Sequence, residues 1–428
     1  MPSLSIHDAA REVPQRSALI AGDRNVTYAE GAELAARARA WLADRGARAG
    51  DRVALVATAA PETIFFVWAL VEIGASIVLL HPRLTDAERA VLVHDASPSF
   101  TIDDAVSAFA EAHRMPRHAP SPPSMDPEQM LALLFTSGTT GRSKAAMLSR
   151  RAFLAAAHAS EKNLGWEEND RWLLCMPPAH VGGLSIVIRC LLARRTVVLA
   201  KPGAPFDPDA VRADIDRHAV TIVSFVPTML QRMLQAAPNW NGARPLRAIL
   251  LGGAGAPPKL IAASADRHLP VLTTYGLTEA CSQVTTQKYG APPSLENGAG
   301  VPVEGMEVRI ESDRIWVRGK SMMSGYFSHA SQPSPFTPDG WFPTGDIGRI
   351  DERGNLHVLG RHHDLVVTGG ENVYPADVES EIERISGVRA ACVFGMPDET
   401  WGEIVCVAVV REAGVEVNPK DLSAHVVK

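Results

Sequence analysis

A loop rich in glycine and hydroxyl side chains runs from Phe135 to Ala145 and follows a short apolar segment. Its glycines, Gly138 and Gly141, permit backbone conformations that other residues avoid, so that successive N–H groups can point at one anion. Further donors would be hydroxyl groups and one ammonium, which belong to Thr136, Ser137, Thr139, Thr140 and Lys144. This combination predicts a loop that binds phosphate groups.

The loop differs from the Walker A loop of kinases and ATPases. That loop needs the pattern G-x-x-x-x-G-K-[ST], in which a hydroxyl directly after the lysine reaches magnesium. Here Lys144 lies three residues after Gly141, and Ala145 follows it. A P-loop kinase or ATPase is therefore not expected. The loop alone also leaves open an ordinary surface turn rich in serine, threonine and glycine.

Further residues that could take part in chemistry lie in motifs downstream of the loop. In chain order these motifs are PPAHVGGL (177–184), TTYGLTEA (273–280), WFPTGDIG (341–348), GRHHDL (360–365) and TGGENVYP (368–375). Taken singly, each polar residue has an ordinary structural explanation. Asp346 could occupy a turn, Glu279 could cap a helix, His180 could lie in the core, and Arg361 could form a surface ion pair.

The surrounding pattern indicates which elements position these residues. Short β-branched segments alternate with amphipathic segments from Asp51 to about Phe225, which is typical of an α/β fold with mainly parallel sheets. Met130 to Phe135 has the length of a buried strand, and Arg151 to Ser160 has the periodicity of a helix. The phosphate loop should therefore lie where a strand ends.

The chain of 428 residues is too long for one compact core. We expect a large N-terminal domain of two stacked α/β subdomains, residues 1–125 and 126–291, plus a small β-rich subdomain, residues 292–360. A small α+β C-terminal domain, residues 361–428, should follow and is expected to be mobile and incomplete.

Composition and charge restrict the possible partners and location. The net charge is −6 with both signs interspersed, which argues against nucleic acid as a partner. The five cysteines lie far apart without a C-x-x-C pair, as expected for reduced thiols in the cytoplasm. The longest apolar stretch, Ile64 to Leu80, is interrupted by Glu72 and Gly74. It predicts a buried helix and strand, and no membrane span.

Together and in this order, the loop and the five motifs resemble the adenylate-forming superfamily. That superfamily contains acyl-CoA and aryl-CoA ligases, luciferases and the adenylation domains of peptide synthetases. The resemblance covers nearly the whole chain. It implies that a carboxylate attacks the α-phosphate of ATP, releasing pyrophosphate and forming an acyl-AMP, from which a thiol such as coenzyme A then displaces AMP. ATP, Mg²⁺ and coenzyme A are the implied cofactors and substrates.

The resemblance also implies roles for individual residues. Catalytic roles fall to Lys144, Thr278, Glu279 and His180, with Glu279 on magnesium and Thr278 near the α-phosphate. The loop from Thr136 to Lys144 would hold the terminal phosphates, Asp346 the ribose, and Arg361 ribose or phosphate. The adenine and acyl pockets would comprise Gly252, Gly253, Ala254, Thr274, Tyr275 and Gly276, with His180, Gly182 and Ser282 on the acyl side. The turn of Gly369, Gly370 and Glu371 would approach a tunnel for the pantetheine arm of CoA.

Within the superfamily, the segments at 176–186, 223–230 and 250–254 most resemble o-succinylbenzoate–CoA ligases of menaquinone synthesis. A pocket floored by glycines suits a flat aromatic acid. The second carboxylate of such a substrate needs a polar partner, and His180, Ser185 and Arg189 are the candidates. Benzoate-type or anthranilate-type ligases and an enzyme that loads a carrier protein stay open. A homodimer is expected from the family alone.

The chain also departs from the family pattern. Ser143 and Ala145 replace the proline and glycine that usually flank the loop lysine, and His363 stands at the usual hinge position. The family carries a catalytic lysine on a later loop of the small domain, whereas the printed sequence ends at Lys428 in a predicted helix. We therefore expect this chain to bind ATP and acyl-adenylate but to form the adenylate slowly. A noncatalytic acyl-adenylate binder is the alternative from a different functional class.

Overall fold

The computed structural model describes residues 3–115, 126–136, 143–201, 206–242, 244–328, 333–398, 400–418 and 422, and the structural statements below concern these residues. The middle of the predicted phosphate loop, which includes Ser137, Gly138, Thr139, Thr140 and Gly141, lies outside them.

The helices lie mainly between strands in the first two thirds of the chain. They are α1 (Ile6–Glu12), α2 (Tyr28–Asp44), α3 (Pro61–Ile73), α4 (Asp86–Ala96), α5 (Ala105–Ala112), α6 (Arg150–Leu164), α7 (Val181–Ala193), α8 (Pro208–Arg217), α9 (Pro227–Ala236), α10 (Pro258–Asp266) and α11 (Pro375–Glu383). A 3₁₀ turn at Thr278–Ala280 follows one of the central strands.

The strands of the α/β part are β1 (Ser17–Ala21), β2 (Arg24–Thr27), β3 (Arg52–Val56), β4 (Ser76–Leu80), β5 (Phe100–Ile102), β6 (Met130–Thr136), β7 (Lys144–Ser149), β8 (Arg171–Leu174), β9 (Thr196–Leu199), β10 (Ile222–Phe225), β11 (Ala248–Leu251), β12 (Val271–Leu277), β13 (Ser282–Thr286) and β14 (Val301–Pro302). Those of the later part are β15 (Met306–Glu311), β16 (Arg314–Gly319), β17 (Tyr326–Phe327), β18 (Phe342–Ile350), β19 (Leu356–Arg361), β20 (Val366–Thr368), β21 (Glu371–Val373), β22 (Val388–Asp398) and β23 (Gly402–Arg411).

A six-stranded sheet in the order β17-β7-β6-β4-β3-β5 contains the strand that precedes the phosphate loop. Strands β3, β4, β5 and β6 run parallel, and β6 pairs antiparallel with β7. The predicted loop therefore connects the two strands of a hairpin, and Lys144 is the first residue of β7. The sequence pattern predicted the helix that follows but not β7, because the alanines at its start carry no strand signal.

The apolar stretch from Ile64 to Leu80 forms most of helix α3 and strand β4, as predicted. Pro61 starts α3, and Gly74 ends it with φ of +77°, which is the preferred order of these two residues at helix ends. The helix is buried on all sides, and Phe65, Phe66 and Trp68 lie in the main core. No helix in the described part of the chain is long and apolar enough to cross a membrane.

A nine-stranded sheet in the order β14-β13-β12-β11-β10-β8-β9-β1-β2 forms the second layer. Its strands from β12 through β1 in that order run parallel, whereas the β12–β13 and β13–β14 pairs are antiparallel. Hairpin β1–β2 belongs to this sheet although it lies near the N-terminus, and β6 and β7 belong to the other sheet. The two sheets therefore do not divide at residues 125 and 126, because long-range pairing leaves no local sequence signal.

Two small sheets complete the fold. Strands β15, β16, β18 and β19 form an antiparallel sheet, which confirms the predicted β-rich subdomain. Strands β21, β20, β23 and β22 form the sheet of the C-terminal domain, and α11 packs against β22. The predicted architecture of a large α/β domain followed by a small α+β domain is confirmed.

Candidate active site

The predicted site residues gather where the parallel strands β10, β11 and β12 end. The carboxyl ends of parallel strands lie at one edge of a sheet, where ligands of α/β proteins commonly bind. Gly252, Gly253 and Ala254 follow β11, and Thr274 to Gly276 lie in the last part of β12. The side chain of Thr274 is held in place because its hydroxyl donates to the carbonyl oxygen of Thr285 at 2.7 Å.

Close backbone contacts explain the glycines at this edge. A Cβ atom on Gly252 would lie 2.7 Å from Cγ2 of Thr274, and one on Gly276 would lie 1.9 Å from the carbonyl oxygen of Ser282. Ser282 itself has a φ of +105° and Cys281 a φ of +54°, conformations that non-glycine residues seldom adopt. Strands β12 and β13 thus approach each other so closely at the site that Gly276 has no room for a side chain.

Glu279 and Lys144 meet at a tyrosine that the sequence analysis did not identify. The hydroxyl of Tyr326 donates a hydrogen bond to Oε1 of Glu279 at 2.7 Å. The Nζ atom of Lys144 lies 5.2 Å from the centroid of the Tyr326 ring, a cation–π distance. Burial and the neighbouring Glu279 raise the pKa of Tyr326, so its hydroxyl stays a donor. The two predicted catalytic residues therefore contact the same tyrosine, Lys144 at its ring and Glu279 at its hydroxyl.

Asp346 lies at the centre of a second cluster. Its Oδ2 accepts from the hydroxyl of Tyr275 at 2.6 Å, and its Oδ1 pairs with Nε of Arg361 at 2.9 Å. The register of β18 and β19 places Asp346 opposite Arg361. Burial raises the pKa of Asp346, although Tyr275 and Arg361 act against this shift. The structure thus brings together three residues that the sequence analysis assigned to the nucleotide.

His180 lies at the start of α7, where the chain passes close to its own backbone. A Cβ atom on Gly183 would lie 2.4 Å from the carbonyl oxygen of Pro177, which fixes this turn. The ring of His180 lies 5.5 Å from that of His81, centroid to centroid. Burial lowers the pKa of both histidines, which favours two neutral rings at neutral pH. His81 follows β4 and was not predicted, because no motif in the sequence marks it.

The remaining predicted residues are separate from these clusters or only partly described. Gly369, Gly370 and Glu371 lie between β20 and β21, and the N–H of Gly369 donates to the carbonyl oxygen of Trp401 at 2.9 Å, within the small domain. No described hydrogen bond links this turn to Asp346, Arg361 or Glu279. Thr136 ends β6 and donates from Oγ1 to the carbonyl oxygen of Lys144 at 3.4 Å. Residues 137–142 of the loop lie outside the described part of the chain.

The donor set suits a magnesium ion that is bound mainly through phosphate. In the described residues no group of three or more histidine, cysteine, aspartate or glutamate side chains could hold a metal ion by itself. Magnesium at nucleotide sites is commonly bound by one or two carboxylates together with substrate phosphates and water. Glu279 supplies one carboxylate, and both it and Lys144 contact Tyr326, so the residues present fit this mode.

Comparison with known proteins shows the family to which this chain belongs. A family model described as AMP-binding enzyme matches residues 6–327, and one described as AMP-binding enzyme C-terminal domain matches residues 377–428. The chain belongs to the AMP-binding enzyme family. The prediction of an adenylate-forming enzyme from the order of the motifs is confirmed.

Within that family the chain is similar to 2-succinylbenzoate–CoA ligases. It is 32% identical to the enzyme of Bacillus pumilus, over 97% of this chain and 89% of that one. The identity to the enzyme of Enterococcus faecalis is 32%, over 84% of this chain and 79% of that one.

Solved structures show the same similarity. The o-succinylbenzoate CoA synthetase of Bacillus subtilis in complex with the acyl-adenylate intermediate matches with a TM-score of 0.89 and 31% identity, covering 99% of this chain and 91% of that one. ATP-bound MatB from Rhodopseudomonas palustris matches with a TM-score of 0.89 and 27% identity, covering 100% of this chain and 92% of that one.

Proposed function

We propose that this enzyme converts 2-succinylbenzoate, ATP and coenzyme A into 2-succinylbenzoyl-CoA, AMP and pyrophosphate. The main structural support for this proposal is the pair of side-chain clusters at the end of β12, one around Asp346 and one around Glu279. The relatives named 2-succinylbenzoate–CoA ligase support the choice of acid. Related structures hold ATP with magnesium and a CoA product analogue, which supports ATP, Mg²⁺ and coenzyme A as the ligands.

In the first half-reaction, a carboxylate oxygen of the acid forms a bond to the α-phosphorus of ATP. The bond from that phosphorus to the bridging oxygen of pyrophosphate breaks, and pyrophosphate leaves with the bonding electron pair. Positive groups that are already in place stabilise the charge that builds up on the leaving oxygens. Lys144, held against the ring of Tyr326, supplies such a charge. Thr278 begins the turn that carries Glu279, and its hydroxyl is assigned to the α-phosphate.

Glu279 would hold magnesium, with Tyr326 fixing the orientation of its carboxylate. When bound, the ion neutralises charge on the phosphate oxygens. The Tyr326 bond uses Oε1 of Glu279 and leaves Oε2 for this task.

Asp346 would hold the ribose of the nucleotide. A carboxylate has about four lone-pair positions, and two of them are used by Tyr275 and Arg361. The others would accept from the two ribose hydroxyls. Arg361 neutralises the carboxylate, and we assign to it a further contact with ribose or phosphate.

In the second half-reaction, the sulfur of CoA bonds to the acyl carbon, and AMP leaves with the former carboxylate oxygen. The thiol proton passes to solvent or to the leaving phosphate. His180, at the start of α7, and His81, which follows β4, are neighbouring neutral rings that would hold the acyl group in place without adding charge. The turn from Gly369 to Glu371 is proposed to meet the pantetheine arm after the small domain rotates. A homodimer and a cytoplasmic location stay predictions.

A panel of acids tests the proposal. The full-length protein is incubated with ATP, Mg²⁺ and CoA and with 2-succinylbenzoate, benzoate, anthranilate, malonate or a medium-chain fatty acid. Pyrophosphate release and thioester mass are measured, and a carrier protein replaces CoA in a parallel series. We expect 2-succinylbenzoate to have the highest kcat/KM and free CoA to be the acceptor. A higher kcat/KM for any other acid, or thioester on the carrier protein alone, would contradict the proposal.

A further inference from the structure

The hairpin of β15 and β16 turns through two residues with a strained backbone. Glu311 pairs with Arg314 across the hairpin, so Ser312 and Asp313 form a two-residue turn, the β15–β16 turn. Their φ angles are +47° and +63°, in the left-handed region where a Cβ atom is crowded. Glycine or asparagine is preferred in hairpin turns of this kind. The side chains at these two positions therefore lower the stability of the hairpin, and such strain points to another role for them.

The side chain of Asp313 reaches the small domain. Its Oδ2 accepts a hydrogen bond from the hydroxyl of Tyr374 at 2.7 Å. Tyr374 lies between strand β21 and helix α11, whereas Asp313 belongs to the β-rich subdomain of the large domain. The hydrogen bond to Asp313 raises the pKa of Tyr374, so the phenol stays protonated and remains the donor. One exposed hydrogen bond thus joins the strained turn to the other domain.

The residue that follows the turn contacts the segment between the domains. Nη2 of Arg314 lies 2.8 Å from Nε2 of His362, and the imidazole nitrogen is the acceptor because a guanidinium has only donors. His362 begins the 3₁₀ turn His362–Asp364, which connects β19 of the large domain to β20 of the small domain. Two consecutive residues, Asp313 and Arg314, therefore contact the small domain and its connection.

Backbone hydrogen bonds fix the β15–β16 turn to the strand that carries the proposed ribose site. The carbonyl oxygen of Asp313 accepts from the N–H of Gly348 at 2.8 Å. Gly348 lies on β18, two residues after Asp346, and β16 pairs with the same strand. The turn is therefore held firmly by the large domain, whereas it holds the small domain only through side chains.

We propose that Asp313 and Arg314 are positioning residues that hold the small domain in the orientation of this structure. Their contacts with Tyr374 and His362 would have to open before the small domain rotates. The inference rests on the proposed function, in which that rotation brings the turn from Gly369 to Glu371 to the pantetheine arm. Both contacts are exposed, so water can replace them at little cost and the restraint is reversible.

The first test separates the strain of the turn from the contact that the turn makes. Asp313→Gly removes the acceptor for Tyr374 and lets residue 313 adopt its positive φ with less strain. Limited proteolysis of the full-length enzyme between residues 360 and 366 should become about three- to tenfold faster, because the open arrangement is more populated. The melting temperature of the large domain should stay the same or rise by about 1–2 °C. A contact that only stabilised the fold would change both quantities in the unfavourable direction.

Ser312→Gly is the matched control in the same turn. It also relieves a positive φ, and no described hydrogen bond joins Ser312 to the small domain. We expect the melting temperature to respond as in Asp313→Gly and the rate of proteolysis to equal that of the wild type.

A double variant tests whether the effect belongs to one hydrogen bond. Tyr374→Phe removes the donor and should accelerate proteolysis by the same factor as Asp313→Gly. The two substitutions together should be no faster than either alone, because the bond can be lost only once. Arg314→Met breaks the separate contact with His362, so it should accelerate proteolysis by itself and add to the effect of Asp313→Gly.

The enzymatic reaction provides a further readout. With the acid that the wild type activates best, Asp313→Gly should raise the rate of thioester formation relative to pyrophosphate release. Ser312→Gly should leave this ratio unchanged. An unchanged ratio in Asp313→Gly would overturn the inference. So would unchanged proteolysis, equal acceleration in Ser312→Gly, or multiplied effects in the double variant.

The proteolysis needs no substrate, so it decides on the two positioning residues whichever acid the enzyme activates. A higher kcat/KM for an acid other than 2-succinylbenzoate would instead contradict the proposed function. The two failures can therefore be told apart.

Discussion

Two tyrosines each donate a hydrogen bond to a carboxylate of the proposed nucleotide site, and these bonds fix the orientation of the two carboxylates. Tyr275 binds Asp346 at 2.6 Å, and Tyr326 binds Glu279 at 2.7 Å. Burial raises the pKa of Tyr275 and of Asp346 alike. For the aspartate this means that the protonated form is reached at a higher pH than for an exposed aspartate. Ribose binding should therefore depend on pH.

We predict that adenosine affinity falls on acidification. Protonation of Asp346 removes an acceptor for a ribose hydroxyl and weakens its pair with Arg361. Since the pKa of Asp346 is raised, the loss of affinity should begin at a higher pH than it would for an aspartate with an ordinary pKa. Adenosine is the probe because it carries no phosphate that titrates in this range. Calorimetric titrations from about pH 8 downward measure the effect.

Asp346→Asn serves as the control, because its amide does not titrate. Its adenosine affinity should be lower than that of the wild type at neutral pH and should change little with pH. A wild-type profile as flat as that of the variant would show that Asp346 does not hold the ribose.

At the residue scale, the sequence predicted side chains that belong to motifs and missed those that do not. Asp346 and Arg361 were assigned to the nucleotide from two motifs, and the structure joins them through a strand register. Tyr326 and His81 were missed because each depends on a contact between residues far apart in the chain. A single sequence carries no signal for such contacts.

At the scale of elements, the close contact between β12 and β13 depends on a glycine. The register shifts between Tyr275 and Gly276, and the carbonyl oxygen of Ser282 turns toward the latter. This irregularity narrows the space above Gly276 so far that no side chain fits. The close contact between the two strands thus depends on Gly276, which belongs to the proposed acyl pocket.

Gly276→Ala is predicted to destabilise the protein by more than about 2 kcal/mol and to abolish thioester formation. The new methyl group would lie 1.9 Å from a backbone oxygen, so the strands must separate. Unfolding in urea measures the stability. Gly255→Ala is the matched control, because a Cβ there meets nothing within 4 Å, and its free energy of unfolding should change by less than about 0.5 kcal/mol. Equal effects of the two substitutions would contradict this account.

Element prediction succeeded where local pattern decides the structure. Helix α6 and strand β6 were expected from apolar periodicity, and α3 with β4 from a long apolar stretch. Strand β7 and the placement of β1 in the nine-stranded sheet were not predicted. Strand β7 pairs with β6 across a loop, and β1 pairs with β9, which is distant in the chain. Local composition does not predict such pairing.

At the scale of the whole molecule, polar contacts hold the small domain against the large one. Nζ of Lys259 donates to the carbonyl oxygens of Ile385 at 3.2 Å and Val388 at 2.6 Å, just beyond the end of α11. The hydroxyl of Tyr374 donates to Oδ2 of Asp313 at 2.7 Å. The contacts with Ile385 and Asp313 are exposed and the contact with Val388 is half-buried. Polar contacts of this kind exchange readily for water, which fits the proposed rotation of the small domain.

Lys259→Met is predicted to loosen this arrangement. Without the ammonium, the carbonyl groups of Ile385 and Val388 lose their donor. The small domain should then separate from the large one more often and expose the segment that links them, residues 360–366. Limited proteolysis between residues 360 and 366 should then be several times faster, while the melting temperature of the large domain stays the same. Lys288→Met, at an exposed lysine of the large domain, should leave the cleavage rate unchanged. Identical rates in both variants would show that Lys259 does not hold the domain.

The most direct test of the proposed acyl-adenylate follows the oxygen atoms of the substrate carboxylate into the products. If the acid is activated as an acyl-AMP, AMP leaves with one oxygen of the original carboxylate. The full-length enzyme is given 2-succinylbenzoate labelled with ¹⁸O in its carboxyl groups, together with ATP, Mg²⁺ and CoA, and the products are analysed by mass spectrometry. We predict one ¹⁸O atom in AMP for each thioester formed and none in pyrophosphate. Thioester formation with unlabelled AMP, or with ADP and labelled phosphate as products, would contradict the account.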